Sequence, residues 1–242
     1  MTSPTVVDQQ VSGSVQKHRA LYPAVSKHLW EVYQKRVLAF WQHEKALKAR
    51  RVFSRRYYVP LLKPLVASMP DDISILEIGS GPVCVAQYLG KGKVTYIDPL
   101  IDEYRRIYPG VMPENATYIA EMAENYEWHD TRFDVVICLY TLSDVHNPEL
   151  VLNKTRQVLK QDGVFAVSID VWPSWLARLH FFLSRFVPVL PQFNRLYSYT
   201  YQGFSNTLKR HFTIESEQRV KPGFSWILWK KEMFFVCKHK QP

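Results

Sequence analysis

Short apolar runs alternate with helix-like segments between about residues 73 and 170, and this alternation constrains the fold more than any other feature of the chain. The run FDVVICLY is apolar throughout, which is typical of a strand buried on both faces. Strands that alternate with helices predict a parallel sheet covered on both sides, and therefore an α/β fold. The predicted strands are ISILEI, KVTYID, ATYIAE, FDVVICLY and VFAVSID.

Helical periodicity also marks the segments around these strands. A helix-like stretch follows the first strand, DEYRRIY reads as a short helix, and NPELVLNKTRQVL reads as a helix ending near Asp162 and Gly163. From Val25 to Leu47 apolar residues recur at helical spacing. We therefore expect residues 1–70 to form a tail and a helical extension, ahead of a domain at 71–242.

The C-terminal third is rich in aromatic residues. An aromatic segment at about 171–202 is expected to form a lid-like insertion after the fifth strand, and a helix is predicted near FSNTLKRHF. The last two strand candidates, TIESEQRV and EMFFVCK, fit a hairpin. Trp175, Leu179 and Phe182 share one helical face of the insertion, which fits either an interfacial helix or an ordinary lid helix packed on the sheet.

Composition narrows the class of protein. The chain has 31 Lys and Arg against 22 Asp and Glu, a net charge of +9, which favours anionic partners but is weak support by itself. Cys84, Cys138 and Cys237 show no ligand spacing, so neither a disulfide framework nor a metal site is expected. The polar N-terminus has no signal-peptide pattern, and no apolar run reaches the ~18 residues of a membrane span. We expect a cytoplasmic protein.

A tight glycine turn, Gly79-Ser80-Gly81, follows the first predicted strand. The first strand, turn and helix of a doubly wound sheet often hold a nucleotide. Asp98 ends the second strand 21 residues after Glu77, and an acidic residue at about that distance is placed to accept hydrogen bonds from ribose hydroxyls. A plain strand-to-helix bend explains the glycines equally well, but the turn and Asp98 together favour a cofactor site.

The same stretch argues against a dinucleotide. The third glycine of the GxGxxG fingerprint is replaced by Cys84, and Pro82 removes a backbone N–H where a pyrophosphate needs donors. Glu77, at the end of the strand, would repel a pyrophosphate. It would suit a cationic cofactor such as S-adenosylmethionine.

The stretch from Ile73 to about Ser168 resembles the core of class I S-adenosylmethionine-dependent methyltransferases, particularly the type 11-like group that methylates small molecules and lipids. EIGSGP resembles the first motif of this family, YIDP the second, and FDVVICLYTLSDVHNPELVLNKTRQVLKQDGVFAVS the fourth strand, its helix and the fifth strand. The resemblance implies a Rossmann-like sheet of seven mostly parallel strands with the last one antiparallel. One departure is Val83, where the family often has a third glycine.

The resemblance also implies roles for individual residues. Glu77 and the backbone of Gly79 and Gly81 would face the methionine part of S-adenosylmethionine, and Asp98 would hold the ribose. The remaining expected contacts are Pro99 or Leu100 on adenine, Glu121 (with Glu124 as an alternative) at the adenine amino group, Met122 beside the ring, and Leu139 or Tyr140 on the face of methyl transfer.

Methyl transfer depends on in-line geometry more than on covalent catalysis, so positioning can supply much of the rate. A general base helps when the acceptor is a hydroxyl, and the candidates are Tyr140, Asp144 and His146. His146 also fits a polar loop residue ahead of a helix. The expected acceptor is a small or lipid-like apolar molecule, methylated on oxygen or carbon.

The basic segment KALKARRVFSRRYYVPLLK leaves alternatives open. It fits a solvated face, or a patch that contacts an anionic membrane or nucleic acid. The alternative function that uses this basic patch is that of an RNA or protein methyltransferase. A separate alternative is a module that binds S-adenosylmethionine without turnover.

Overall fold

The computed structural model describes residues 22–177, 195–221 and 231–240. A mixed α/β sheet forms its centre. The strands are β1 (Ser74–Ile78), β2 (Lys93–Ile97), β3 (Thr117–Ile119), β4 (Phe133–Leu139), β5 (Leu159–Trp172), β6 (Tyr199–Thr200), β7 (Phe212–Arg219) and β8 (Lys231–His239).

The sheet has the order β3-β2-β1-β4-β5-β8-β7, and the two-residue β6 pairs with β5. The pairings among β1 to β5 are parallel. β8 lies antiparallel between β5 and β7, which confirms both the predicted hairpin and the predicted mostly parallel sheet with an antiparallel last strand.

Helices cover this sheet and extend it at the N-terminal side. Ser26 caps the first helix by accepting a hydrogen bond from the backbone N–H of Leu29. Basic residues of the segment predicted from the sequence lie on the second helix and on the π-helical turn that continues it. The helices are α1 (Lys27–Trp41), α2 (Glu44–Phe53), a π-helical turn (Ser54–Tyr58), α3 (Val59–Val66), a 3-10 helix (Val85–Leu89), α4 (Ile101–Ile107), α5 (Pro148–Val158) and α6 (Tyr201–His211).

The core consists of two apolar clusters, and β4 contributes to both. Val136 and Cys138 belong to one cluster, whereas Val135 and Ile137 belong to the other. Successive side chains of a strand point to opposite faces, so a strand covered on both faces needs apolar residues at every position. This confirms the interpretation of FDVVICLY.

The structure defines the limits of two predicted helices, and one predicted boundary is wrong. The stretch predicted to be helical after the glycine turn is a five-residue 3-10 helix, which is limited by Cys84 before it and Gly90 after it because both adopt left-handed backbone angles. Helix α5 ends at Val158 and not near Asp162, because Leu159 already has extended angles and pairs with Phe133 of β4.

Residues 178–194, about half of the predicted lid, lie outside the described residues. Residues 174–177 are helical, and the Trp175 side chain is 59% exposed. The proposed lid face from Leu179 onward belongs to the part that is not described. Within the described ranges, no helix has the length and apolar character required to cross a bilayer.

Helix α5 offers a matched test of the packing. Leu152 is 0% exposed in the core, while Leu150 on the same helix is 37% exposed. We expect Leu152→Ala to lower the free energy of unfolding by about 2–5 kcal/mol, because it removes buried methyl groups and leaves a cavity. Leu150→Ala should cost under about 1 kcal/mol. Urea unfolding of both variants measures the difference, and equal losses would contradict this packing.

Candidate functional site

A cavity of about 370 Å³ lies at the carboxyl ends of β1, β2 and β4, beneath helices α1 and α2. Its walls are of two kinds. What we call the turn half is formed by the glycine turn and the strand ends around it, including Glu77, Gly79, Gly81, Asp98, Pro99, Met122 and Leu139. What we call the aromatic half is formed mainly by Trp30, Tyr33, Phe40, Trp41, Tyr58 and Tyr140.

The glycine turn has a shape that only glycine adopts without strain. Gly79 and Gly81 have φ angles of +68° and +53°. A Cβ on Gly79 would overlap the Thr141 side chain, whose hydroxyl donates to the carbonyls of Gly79 and Leu139 at 3.2 and 3.0 Å. A Cβ on Gly81 would lie 3.4 Å from the indole of Trp41. The glycine turn therefore packs directly against the side chains of Thr141 and of Trp41 on α1.

Glu77 is a buried carboxylate in the turn half. Its two oxygens accept hydrogen bonds from the backbone N–H groups of Val85 and Ala86, at 3.0 and 2.8 Å. Burial raises the pKa of Glu77 to about 7, and the charge of nearby Asp98 acts in the same direction. The carboxylate thus caps the 3-10 helix and also gives the cavity wall an acidic group.

Asp98 is the second buried carboxylate of this wall. It accepts hydrogen bonds from the N–H groups of Gly81, at 3.0 Å, and Leu100, at 2.9 Å. Burial raises the pKa of Asp98 to about 6. Two neighbouring carboxylates in a site of low dielectric constant are stabilised in the charged form by a cation. The donor set therefore fits a ligand that carries positive charge and hydroxyl groups.

The other cofactor contacts expected from the sequence divide into two groups. Pro99, Met122 and Leu139 line the cavity, as does Tyr140. Glu121 is exposed and accepts a hydrogen bond from the N–H of Met122, and it is not among the lining residues.

Glu124, the alternative to Glu121, is buried and lines the cavity. Its Oε1 atom accepts hydrogen bonds from the backbone N–H groups of His146 and Asn147, at 2.9 and 3.2 Å. Glu124 thus fixes the loop ahead of α5. The backbone carbonyl of His146 accepts from Tyr197 at 2.7 Å, but His146 is not a lining residue. Its role as a base stays a prediction from the sequence.

Asp144, the third base candidate, is held in a polar cluster. The Tyr33 hydroxyl donates to its Oδ1 atom at 2.6 Å, Arg195 forms an ion pair with Oδ2, and the amide of Gln34 donates to its carbonyl. Burial, followed by the charge of Asp144, raises the pKa of Tyr33. The sequence analysis did not identify Tyr33 and Arg195. They lie 111 and 51 residues from Asp144 along the chain, and no sequence pattern indicates that either contacts it.

Val83, which departs from the glycine of the family motif, has a packing role. It is 3% exposed, belongs to one of the core clusters and lines the cavity. Its carbonyl accepts a hydrogen bond from the Gln87 side chain at 2.6 Å. The turn therefore accommodates a side chain here by directing it into the core beside the 3-10 helix.

Comparison with known proteins identifies a methyltransferase domain in this chain. Residues 76–167 match the family model described as a methyltransferase domain. A thiol S-methyltransferase of Rattus norvegicus, TMT1B, is 31% identical over 101 residues, which are 39% of this chain and 41% of the relative. The chain thus spans about two fifths of the length of this curated relative.

Solved structures share the fold. A 1,6-didemethyltoxoflavin-N1-methyltransferase of Burkholderia thailandensis, crystallised with 1,6-didemethyltoxoflavin and S-adenosylhomocysteine, superposes with a TM-score of 0.64 at 16% identity, covering 90% of this chain and 92% of that one. The plantazolicin methyltransferase BpumL, in complex with SAH, gives 0.58 at 15% identity, covering 88% and 94%. At these identities the likeness concerns the fold alone.

The glycine turn provides a matched pair of substitutions. Gly79 and Gly90 both have positive φ, but a Cβ on Gly90 meets no atom within 4 Å. We expect Gly90→Ala to cost about 1–2 kcal/mol of unfolding free energy through backbone strain alone. Gly79→Ala should cost more, because Thr141 must also move. Urea unfolding measures both, and equal costs would show that the approach of Thr141 is unimportant.

Proposed function

We propose that this chain, whose residues 76–167 belong to the class I S-adenosylmethionine-dependent methyltransferase family, transfers a methyl group to a small, largely apolar acceptor. The observation that carries the proposal is that the turn half and the aromatic half line a single cavity. Part of its lining carries the buried carboxylates and the glycine turn, and the rest is largely aromatic. A cation-binding half next to an apolar half suits a charged methyl donor that faces an apolar acceptor.

In this proposal S-adenosylmethionine binds in the turn half and supplies an electrophilic methyl group on its sulfonium. Glu77 faces the positive methionine part, beside the backbone of Gly79 and Gly81. Asp98 keeps lone pairs free for ribose hydroxyls, since its two described partners are single N–H donors. Pro99, Met122 and Leu139 supply apolar contacts around the adenine and the reacting end.

The aromatic half orients the acceptor and excludes water. Trp41 lies over Gly81 and packs edge-on against Tyr104, with ring centroids 6.3 Å apart. The Tyr108 hydroxyl donates to the Trp41 carbonyl and holds the end of α1 over the cavity. Desolvation strengthens charge interactions inside a closed site, and in-line positioning lowers the barrier to transfer.

The acceptor is expected to bring its own nucleophile. Among the described lining residues, the carboxylates Glu77, Asp98, Glu124 and Asp144 all accept hydrogen bonds from the protein. Asp144, at the aromatic half, is already engaged by Tyr33 and Arg195. A thiol ionises near neutral pH without a base, whereas an aliphatic alcohol does not. The name of the rat relative agrees with a thiol acceptor.

The exposed basic residues of α2 and the π-helical turn favour a second candidate function. Lys45, Lys48, Arg55 and Arg56 are exposed on α2 and the π-helical turn, near the exposed apolar side chain of Val52. This surface would serve an RNA or protein methyltransferase, or contact with an anionic membrane.

Cofactor affinity should depend on pH. Asp98 and Glu77 have raised pKa values of about 6 and 7, so both carboxylates gain protons as the pH falls from 7.5 to 5.5. A cationic ligand binds the ionised forms. By linkage, the affinity for S-adenosylmethionine should fall roughly tenfold or more over this range. Titration calorimetry at both pH values measures the change.

The same titration on two protein variants tests whether Asp98 is responsible for cofactor binding and for part of its pH dependence. Asp98→Asn should weaken binding at pH 7.5 roughly tenfold or more, because a hydrogen bond to a charged group contributes about 1.5–3 kcal/mol, and it should flatten part of the pH dependence. Asp102→Asn, at an exposed position of α4, is the matched control and should bind like the natural chain. Unchanged binding by Asp98→Asn would contradict the assigned cofactor site.

Methyl transfer itself can be measured with methyl-labelled S-adenosylmethionine. Aromatic thiols are expected to take up label faster than the matched aryl-methanols, because only the thiols ionise appreciably near neutral pH. Tyr33→Ala should slow this transfer without weakening cofactor binding. Label in cellular RNA or protein instead would support the alternative. Intact cofactor binding with no label in any acceptor would indicate a non-catalytic module.

A further inference from the structure

Two of the three arginines that line the cavity, Arg50 and Arg195, lie beside the Tyr140 ring, and their charges are balanced differently. The guanidinium carbons of Arg195 and Arg50 lie 4.0 and 4.8 Å from the centroid of the Tyr140 ring. Arg195 forms an ion pair with Asp144. In residues 22–177, 195–221 and 231–240, no carboxylate forms an ion pair with Arg50. Among the described residues, Arg50 therefore has no carboxylate in direct contact that would balance its charge.

The position of Arg50 is fixed by neutral groups. Its Nη2 atom donates to the Tyr58 hydroxyl at 3.0 Å, and its guanidinium also lies over the rings of Phe53 and Tyr58. The Tyr58 hydroxyl in turn donates to Glu232, which also accepts from Ser168 at 2.8 Å. Tyr58 thus lies between Arg50 and Glu232, and the charge of Arg50 acts to lower the pKa of this buried carboxyl although the two groups form no direct ion pair. An arginine has five N–H donors, so a fixed guanidinium of this kind still has donors to offer a ligand.

Ser54 provides a second, independent indication of a ligand. It lies in the same wall, four residues after Arg50 and four before Tyr58, at the start of the π-helical turn. Its side chain is 0% exposed, and its hydroxyl has no hydrogen-bond partner in the described part of the chain. A buried hydroxyl without a partner is costly, and π-helical turns are frequent at functional sites. Ser54 and Arg50 line the same cavity, so an oxygen atom of a ligand bound beside Arg50 would give the Ser54 hydroxyl a hydrogen-bond partner.

We infer that Arg50 and Ser54 form an anion subsite, and that the acceptor of the proposed methyltransferase carries a carboxylate or a phosphate that this subsite binds. The inference rests on the proposed function and narrows its substrate class to apolar molecules with an anionic group. The guanidinium binds the anion through its fork of N–H donors, while the aromatic walls hold the apolar part of the acceptor. The attraction selects anionic acceptors over neutral molecules of the same shape.

Direct binding tests the subsite without requiring turnover. Calorimetry on the full chain, with and without saturating S-adenosylhomocysteine, compares phenylacetate and phenyl phosphate with neutral phenylacetamide. At least one anion is expected to bind roughly tenfold or more tightly than the amide, because hydrogen bonds between charged groups are the stronger ones. The ratio between the two anions distinguishes a carboxylate from a phosphate. Equal affinities for anion and amide, or no saturable anion binding, would overturn the inference.

Matched variants assign the effect to its residues. Arg50→Met should abolish the preference for the anion, Arg50→Lys should keep part of it, and Ser54→Ala should weaken anion binding several-fold without lowering the melting temperature. Arg56→Met, an exposed residue of the same π-helical turn, controls for the general loss of positive charge and should retain the preference.

The variants also separate this inference from the proposed function. If Arg50→Met does not fold, Arg50→Lys and Ser54→Ala still decide, and a preference unaffected by both would overturn the subsite. Absence of S-adenosylmethionine binding would refute the proposed methyl transfer, while the ratio of anion to amide affinity on the chain alone would still be measured.

Discussion

The burial of two carboxylates at adjacent strand ends is the constraint around which the site is built. Glu77 and Asp98 lose their water, and burial raises the pKa of both. Hydrogen bonds from backbone N–H groups compensate part of the cost of burying these charges. The chain must follow a particular path to bring those N–H groups to the carboxylates. The N–H groups of Val85 and Ala86 reach Glu77 because the chain turns into a short 3-10 helix. The glycine turn with its 3-10 helix and the two buried carboxylates thus depend on each other through these hydrogen bonds.

The N-terminal extension completes the cavity through a second buried polar cluster. Asp144 binds Tyr33 and Gln34 of α1 and also Arg195, which lies far along the chain. These contacts hold the aromatic face of α1 against the loop that follows β4. Partly buried ion pairs are stable only when further hydrogen bonds satisfy them, and Tyr33 supplies one here. The extension is therefore part of the site and not an appendage to the sheet.

The sequence predicted the sheet and the turn half well because both depend on local patterns. Continuous apolar runs identified the buried strands, and Glu77, Gly79, Gly81 and Asp98 followed from motif spacing. Apart from Tyr140, the aromatic half was not predictable in this way. Tyr33, Arg50, Tyr58 and Arg195 meet only through tertiary packing, and an aromatic or basic residue on a helix looks the same in sequence whether it faces solvent or a cavity. Glu121 and Glu124 show the same limit, since only their burial distinguishes them.

The charges of the two halves explain why one cavity would suit both partners of a methyl transfer. The turn half holds acidic groups with raised pKa values, and the aromatic half holds Arg50, which forms no ion pair with a carboxylate in the part of the chain that the structure describes. A cationic donor and an anionic acceptor would each find the opposite charge in their own half, and each would be repelled by the other half. Opposed charges of this kind fix orientation as well as affinity. With the two partners ordered in this way, transfer depends on alignment, and an aromatic wall can provide that alignment.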